Sequence, residues 1–288
     1  MRTVKSSTPR VAVIGTGAIG SAVVHRLLGG GHDVAVWNRT AGRTTDLAAA
    51  GAVPQESVRD ALSYGTLVFL TLKDYAATRH CLAEIDADLS AQTIVGLYTG
   101  TAEEARLTAQ RVHDFGARYL DAGIQASPEM IGAGTAAILY SGSRDGFERH
   151  EPTLELLGRP RLVGEAPDAA AMWDLALFGV WYDAQLGLLR ALDTARAAGI
   201  DVADFAQTAT AQLGHVVTAA DAAVSEVRQA SYPPGPADLT EHLTVIRHLI
   251  EMRTGHRLGD GGLPEVAARI ESLIADGRGG EGLTATVG

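Results

Sequence analysis

A glycine-rich turn near the start of the sequence constrains the fold of this chain more than any other feature. The apolar run Val11–Ile14 leads into Gly15-Thr16-Gly17-Ala18-Ile19-Gly20, and a segment with helical apolar periodicity follows directly. A strand, a GxGxxG turn and a helix start in this order are typical of a dinucleotide-binding βαβ unit. Gly15 would form the tight turn, Gly17 would let the backbone approach a pyrophosphate, and Gly20 would allow close packing of helix on strand. We therefore predict that these six residues bind a dinucleotide at the N-terminus of the helix.

The end of the second predicted strand, Val34–Trp37, selects between the two nicotinamide dinucleotides. NAD-preferring sites carry an acidic residue near this point to bind the ribose 2′-hydroxyl. This chain instead has Asn38-Arg39-Thr40, with Arg43 close behind. A guanidinium can bind a 2′-phosphate through two hydrogen bonds and stack on adenine. We predict NADPH as the cofactor, with these four residues at its phosphate; the alternative is that Arg39 is an exposed strand-end residue without a ligand.

Apolar strand segments alternate with helical segments through residue 167. This alternation predicts an α/β fold with a Rossmann doubly wound parallel sheet, whose ligands lie beyond the carboxyl ends of the strands. Two such ends carry Leu72-Lys73 and Thr99, which we expect at the nicotinamide half of the cofactor. Capping of the following helix is the alternative role for Thr99. The stretch 123–132 is predicted to be a loop, and helices are predicted over 40–50, 57–63, 75–87 and 145–157.

Beyond residue 167 the sequence contains no strand-like run, only long segments with helical periodicity. We predict two domains: a Rossmann dinucleotide-binding domain over 1–167, and an all-α substrate and dimerisation domain over 168–288 that begins with a long interdomain helix. The cleft between two such domains is a natural place for a binding site. Residues 277–288 are predicted to be a frayed tail, and the helical segments cover 168–199, 201–228, 236–255 and 263–276.

Composition excludes several classes of function. A net charge of −10 argues against a nucleic-acid partner, and no apolar run approaches the roughly 18 residues that span a bilayer. The first ten residues lack the apolar stretch of a signal peptide, and the single cysteine, Cys81, fits a reducing compartment. The histidines follow no metal-ligand spacing such as HExxH. We therefore expect a cytoplasmic protein with no metal, no membrane partner and no nucleic-acid partner.

The first long segment of the helical half carries candidate proton-transfer groups. Asp174 and Tyr182 are about 80° apart on a helix, so they share one broad face, whereas Asp183 lies opposite Asp174. A phenol, with a reference pKa of about 10, keeps its proton at neutral pH and can donate it to a nitrogen or oxygen that is being reduced. Tyr182 and Asp174 are therefore the candidate catalytic residues. A packing or interface role is the alternative for Tyr182.

Several blocks of the sequence, in this order, resemble the imine reductase family, relatives of the β-hydroxyacid dehydrogenases. The glycine turn and Asn38-Arg39-Thr40 are similar to the NADPH site of that family. The resemblance covers nearly the whole chain. Its more specific blocks are Tyr119-Leu-Asp-Ala-Gly-Ile-Gln-Ala-Ser-Pro128 with Met130-Ile-Gly132, Ile138–Gly142, Trp173-Asp-Leu-Ala-Leu177 with Gly187, Tyr232-Pro-Pro-Gly and His248-Leu-Ile.

The resemblance implies an NADPH-dependent reduction of a cyclic imine or iminium to an amine. The family position held by Tyr182 carries a Tyr or Asp thought to protonate or anchor the imine nitrogen, and Asp174 would support the site. Family members that perform reductive amination often have Asn where this chain has Thr99, so efficient amine–ketone coupling is not expected. The family forms homodimers with exchanged helical domains. The residues expected to contact substrate are Thr99, Gln125, Met130, Trp181 and His215.

Two alternative functions remain open at the level of sequence. A β-hydroxyacid dehydrogenase, acting on a 3-hydroxy acid, uses a lysine on the interdomain helix, and this chain has no lysine after Lys73. Arg190 is the one evident candidate to bind a carboxylate in the helical half. A non-catalytic NADPH-binding protein is the other alternative, since fold does not dictate function.

Overall fold

The computed structural model describes residues 9–83 and 85–288. The expectation of no signal peptide rests on the first ten residues, and eight of these lie outside the described residues. The first part of the chain alternates strands and helices, and the second part is helical. The strands are β1 Val11–Ile14, β2 Val34–Trp37, β3 Val53–Pro54, β4 Leu67–Leu70, β5 Thr93–Leu97, β6 Arg118–Gln125, β7 Ala137–Gly142 and β8 Arg159–Gly164. The helices are α1 Ala18–Gly29, α2 Thr45–Ala49, α3 Val58–Tyr64, α4 Tyr75–Leu82, α5 Ala102–Asp114, α6 Arg144–Leu154, α7 Ala169–Ala197, α8 Val202–Thr218, α9 Ala220–Gln229, α10 Leu239–Arg253 and α11 Leu263–Ala275.

One eight-stranded sheet has the order β3-β2-β1-β4-β5-β6-β7-β8. The strands from β3 through β6 are parallel, which confirms the predicted Rossmann fold class with its helical C-terminal part. The pair β6–β7 is antiparallel, and β8 is parallel to β7. The reversal follows from the connection, because only a loop with one short 3-10 turn, Pro128–Met130, joins β6 to β7. A parallel pair would need a longer crossover, usually through a helix.

Strand β1 lies at the centre of the core, and all four of its residues are fully buried. Val11 and Val13 pack in the apolar cluster that contains residues of α1, whereas Ala12 and Ile14 pack in the cluster that contains residues of α3, α4 and α5. Successive side chains of a strand point to opposite faces, so both faces of the sheet are covered by helices. The glycine turn therefore leaves the middle of a double-sided core.

Three predicted boundaries in the first half need correction. The helix predicted over 40–50 is a 3-10 turn, Ala41–Thr44, followed by the short helix α2. The helix predicted over 75–87 ends at Leu82, although residue 84 lies outside the described residues. The loop predicted over 123–132 begins too early, because β6 continues through Gln125. This last difference matters for the site, since it places Gln125 on a rigid strand.

Two predictions in the second half also need correction. The segment 201–228 forms two helices that meet at Ala219, where the Thr218 hydroxyl donates a hydrogen bond to the Gly214 carbonyl. Such back-bonding by threonine bends helices. The C-terminal residues are packed and not frayed: Ala285 is fully buried in a small apolar cluster, and the Gly282 amide donates to the Tyr232 carbonyl.

The described chain divides into two compact units, one that ends at Phe178 and one that covers Gly179–Gly288. Helix α7 contributes residues to both units. The domain boundary expected at 167/168 coincides with the start of this helix and stays a prediction. Among the described residues, no helix is both long and apolar enough to cross a membrane.

Candidate active site

A cleft of about 770 Å³ opens at the carboxyl ends of β1, β2, β4 and β5. This edge of the sheet is where open α/β folds bind their ligands. Eleven residues predicted to bind the cofactor line the cleft, namely Gly15, Thr16, Gly17, Ala18, Ile19, Asn38, Arg39, Thr40, Arg43, Leu72 and Lys73. Two do not: Gly20 lies beneath the turn, and Thr99 faces Asp174.

The three glycines of the turn differ in their surroundings. Gly15 has a φ of 101°, which favours glycine, and its amide donates to the Trp37 carbonyl at 2.9 Å. A Cβ added to Gly20 would lie 2.1 Å from the Gly15 oxygen and 2.4 Å from Thr71 Oγ1. A Cβ on Gly17 would meet no atom within 4 Å. Two glycines therefore allow the turn to fold, and the third leaves open space at the cleft.

Thr71 holds the turn from the neighbouring strand, a role that sequence reasoning missed. Its buried hydroxyl donates to the Gly15 carbonyl at 2.5 Å, and its backbone amide donates to the Ile14 carbonyl at 2.9 Å. A buried hydroxyl at the end of an apolar strand needs a partner, because an unpaired polar group is costly to bury. The signal for this role is the hydroxyl itself, which follows the four buried residues of β4.

Asn38 organises the part of the cleft beside the glycine turn. Its side-chain nitrogen donates to Thr16 Oγ1 at 2.9 Å, and its side-chain oxygen accepts from the Thr40 amide at 2.9 Å. The Thr16 hydroxyl in turn donates to the Arg43 carbonyl at 3.2 Å. These hydrogen bonds join only neutral groups and do not use the guanidinium groups of Arg39 and Arg43. Both arginines line the cleft and contribute positive charge to it.

One wall of the cleft is mainly apolar and was not predicted. The residues come from the ends of β2 and β5 and from α3 and α4, so only the folded topology brings them together. Burial raises the pKa of Cys81 to about 11, which keeps its side chain a neutral thiol. The additional lining residues are Trp37, Val58, Ala77, His80, Cys81, Leu97 and Tyr98.

The N-terminus of α1 suits the pyrophosphate of a dinucleotide. Gly17 is the N-cap residue, and within this fully described helix no side chain caps the first turn and no acidic residue lies in it. The first amide groups of a helix lack intrahelical partners and favour an anion. The open space at Gly17 lets an anion approach these groups. The residues present therefore fit the predicted cofactor.

Asp174 is the buried carboxylate of the candidate site, with 1% of its surface exposed. The Thr99 hydroxyl donates to its Oδ2 at 2.9 Å, and the Gln125 amide donates to its Oδ1 at 2.6 Å. Burial raises the pKa of Asp174, while the two hydrogen bonds act in the opposite direction. No ion pair joins it to any Lys, Arg or His in the part of the chain that the structure describes.

Strand β6 makes room for this carboxylate. A Cβ added to Gly123 would lie 2.6 Å from Asp174 Oδ1, so a larger residue cannot occupy this position. Because alternate residues of a strand share a face, Asp121, Gly123 and Gln125 lie on the same side of β6. This side of the strand therefore carries the Asp121 carboxyl, then the space at Gly123 that the Asp174 side chain of α7 fills, then the Gln125 amide.

Asp121 lies in a second hydrogen-bond network that was not predicted. The Tyr75 and Tyr119 hydroxyls both donate to its Oδ1, at 2.8 and 2.9 Å, and the Tyr98 and Tyr119 hydroxyls are 3.2 Å apart. Burial raises the pKa of Asp121 to about 7, the tyrosine hydrogen bonds oppose this, and the charge of Asp174 adds to it. The signal in the sequence is an aspartate between the apolar residues Leu120 and Ala122.

The other predicted site residues lie in different places. Tyr182 is in the second unit, 54% exposed, and its ring packs edge-on against Trp181 with centroids 4.9 Å apart. His215 is exposed on α8, also in the second unit, while Met130 is exposed on the 3-10 turn after β6. Their predicted contacts with substrate stay predictions.

Arg190 has a structural environment within the second unit. Arg190 is 8% exposed, and its Nη1 donates to the Leu258 carbonyl at 3.2 Å. Gly261 packs against the guanidinium, where an added Cβ would lie 2.9 Å from Arg190 Nη2. Arg190 therefore holds the loop between α10 and α11, which leaves the alternative of a carboxylate clamp without support.

Two known protein families match the chain, one over the part that contains the sheet and one over the helical part. The NAD binding domain of 6-phosphogluconate dehydrogenase matches residues 10–166, more than half of the chain. The C-terminal domain of proteins like NADPH-dependent reductive aminase matches residues 166–288. These matches define the class: a nicotinamide-dinucleotide-binding domain followed by a reductive-aminase-like helical domain.

Individual relatives cover almost the whole chain. The NADPH-dependent reductive aminase of Aspergillus oryzae is 29% identical over 285 residues, 96% of this chain and 95% of that protein. An imine reductase from Pseudomonas sp. has 28% identity and a TM-score of 0.86, with 97% of this chain and 98% of that chain covered. A reductive aminase from Aspergillus terreus, in complex with NADPH and ethyl levulinate, has 28% identity, a TM-score of 0.87 and the same coverage. The chain belongs to the imine reductase family, which confirms the predicted resemblance.

Proposed function

We propose that this protein transfers hydride from NADPH to the carbon of a C=N bond and releases an amine. The observation that carries the proposal is the position of the buried carboxylate. Tyr98 lines the cofactor cleft, and the next residue, Thr99, donates to Asp174. A carboxylate without a cationic partner among the described residues suits a positively charged iminium group. The cofactor is NADPH, in agreement with the prediction from Arg39 and its neighbours.

The proposed mechanism divides the work between the cofactor and the chain. NADPH, when bound, supplies the hydride, and the glycine turn and α1 hold its pyrophosphate. Arg39 and Arg43 bind the 2′-phosphate, and Asp174 binds the iminium N–H and orients the C=N carbon. A neutral imine needs one proton in addition to the hydride, and the phenol of Tyr182 supplies or orients that proton.

An imine, and not a 3-hydroxy acid, is the proposed substrate class. Oxidation of a hydroxy acid in the related dehydrogenases requires a lysine, and this chain has none beyond Lys73. The C-terminal half is similar to that of reductive aminases. We propose a small cyclic imine as substrate, with weak coupling of ketones to amines because Thr99 replaces the Asn expected for that reaction.

The reaction class is tested by the NADPH absorbance in the presence of 2-methyl-1-pyrroline. We expect imine-dependent loss of absorbance with NADPH, much slower loss with NADH, and none without imine. Parallel reactions contain cyclohexanone with an amine, or NADP⁺ with 3-hydroxy acids. Reduction of NADP⁺ by a hydroxy acid without imine turnover would show that the proposed function is wrong. NADPH binding without any turnover would favour the non-catalytic alternative.

We also propose a homodimer in which the helical domains, residues 168–288, are exchanged and complete each other. Support comes from α8, a fully described helix in which no residue is buried. Val216 and Val217 on this helix are 71% and 75% exposed. Large exposed apolar patches on soluble proteins mark interaction surfaces. The family resemblance supplies the exchanged arrangement.

The oligomeric state is measured by light scattering coupled to size-exclusion chromatography. We expect a mass of about 60 kDa, twice the 30.1 kDa of the chain. Val217→Glu places a charge on the proposed interface, and we expect it to give a folded monomer that does not turn over imine. Wild-type protein that elutes at the mass of one chain would contradict the dimer. A cytoplasmic location is proposed from the single cysteine and is tested by cell fractionation.

A further inference from the structure

Gln125 has a defined contact that the family resemblance does not assign. It is the last residue of β6, and its amide nitrogen lies 2.6 Å from Asp174 Oδ1. Thr99 occupies the other carboxylate oxygen at 2.9 Å. Gly123 packs against the same carboxyl group, so Thr99 after β5 together with Gly123 and Gln125 on β6 fix the orientation of Asp174.

The chemistry of the donor has a consequence for the charge at the site. An amide N–H stabilises a carboxylate by a hydrogen bond but adds no positive charge, whereas an arginine or lysine would neutralise it. Among the described residues, the charge of Asp174 acts on Asp121 on β6 and on Tyr75 on α4, and neither of these is a cation. A neutral donor therefore preserves a negative charge for a cationic substrate group in a buried environment that disfavours ions.

We propose that Gln125 is a positioning residue, whose amide holds the Asp174 carboxylate ionised and in one orientation toward the iminium nitrogen. The inference rests on the proposed function. Gln125 was expected to contact substrate directly, whereas here it acts on the substrate through Asp174. Because β6 is a rigid element of the sheet, the amide is held in place before substrate arrives.

Gln125→Met tests this role, since methionine has a similar size and no N–H donor. Loss of a hydrogen bond to a charged group should lower kcat roughly 10- to 100-fold. The acid limb of the kcat profile should move to higher pH, because the remaining environment favours the protonated carboxyl. The dissociation constant of NADPH should stay unchanged, since Gln125 does not line the cofactor cleft.

Gln125→Glu is the second variant and keeps the size of the side chain. A protonated glutamic acid can still donate to Asp174, but an ionised one repels it, so activity should fall as pH rises through the neutral range. The matched control is Gln110→Met, which removes an amide–carboxylate hydrogen bond of 3.1 Å to Asp114 on the exposed face of α5. The control should keep the wild-type rate and pH profile.

The outcomes separate this inference from the proposed function. If the wild type turns over imine and both Gln125 variants keep its pH profile and kcat, Gln125 does not position Asp174. A change in the KM for imine alone, with kcat and the pH profile unchanged, would instead favour direct substrate contact and overturn the proposal. If Gln125→Met does not fold, Gln125→Glu decides alone. Absence of imine turnover by the wild type would disprove the proposed function itself.

Discussion

The two compact units of this protein bury their apolar residues to different extents. In the first unit the four residues of β1 and the four residues of β4 are all fully buried, and helices cover both faces of the sheet. In the second unit a small cluster around α10 and α11 is buried, whereas α8 and α9, both fully described, contain no buried residue. The centre of the sheet is thus buried within the first unit, whereas α8 and α9 of the second unit leave most of their apolar residues uncovered.

This difference indicates how function is divided. A unit with a complete core can hold a glycine turn, a cleft and a buried carboxylate in fixed positions, as cofactor binding requires. Exposed apolar helices in the second unit are consistent with the proposed homodimer. The predictions below separate the two roles, in order of decreasing effect.

The largest effect is expected from Gly20→Ala in the first unit. The new Cβ would lie 2.1 Å from a backbone oxygen, which cannot move without distortion of β1. We expect the free energy of unfolding to fall by about 3 kcal/mol. Gly17→Ala is the matched control: it should change that energy by less than about 1 kcal/mol but weaken NADPH binding about tenfold or more. Chemical denaturation and a binding titration measure the two effects; equal stability loss in both variants would contradict the assignment of roles.

The second prediction compares one residue from each unit. Tyr182→Phe should lower kcat roughly 100-fold, as expected for loss of a general acid, and leave the NADPH dissociation constant unchanged. Arg39→Ala should weaken NADPH binding about tenfold with little change in NADH binding or in kcat. Steady-state kinetics and binding titrations give both constants. An unchanged rate for Tyr182→Phe would remove this residue from the mechanism.

The third prediction concerns the pH dependence of stability and His150, which is 2% exposed on α6 in the first unit. Burial, the largest cause, lowers its pKa from 6.5 to about 4, so the folded state keeps the ring neutral. The unfolded chain binds a proton near pH 6.5, so stability falls as pH decreases from 6.5 toward 4. The loss should be roughly 2 kcal/mol between pH 8 and pH 5. Denaturation of His150→Leu should lack this component, while His248→Leu, exposed on α10, should retain it; identical pH dependence in both variants would refute this.

Much of the first unit could be predicted from the sequence because local patterns determine it. The glycine turn, the apolar strands and Asn38-Arg39-Thr40 lie in continuous segments, and eleven predicted cofactor residues line one cleft. The apolar wall of that cleft could not be predicted, since Val58 and Cys81 approach it only through the order of strands. The reversed direction of β7 also depends on the sheet as a whole.

The carboxylate site shows the same limit. Helical periodicity indicated Asp174. Its partner Thr99 follows β5 and its partner Gln125 is the last residue of β6, and no local pattern joins them. Gln125 was predicted to contact substrate, but the loop predicted over 123–132 did not place it on a strand, because the glycines and the proline of this stretch favour a loop. In the structure Gly123 lies within β6 and makes space for the Asp174 side chain. A glycine inside a strand can mark close approach, which is the signal that would have indicated the contact between Gly123 and Asp174.

The central claim is that hydride passes from NADPH, held by the first unit, to the carbon of a C=N bond. The most direct measurement uses NADPH deuterated at both C4 hydrogens together with 2-methyl-1-pyrroline, and analyses the product by mass spectrometry and NMR. We predict 2-methylpyrrolidine with a single deuterium at C2. Oxidation of the deuterated NADPH without deuterium in the product, or no formation of amine, would contradict the account.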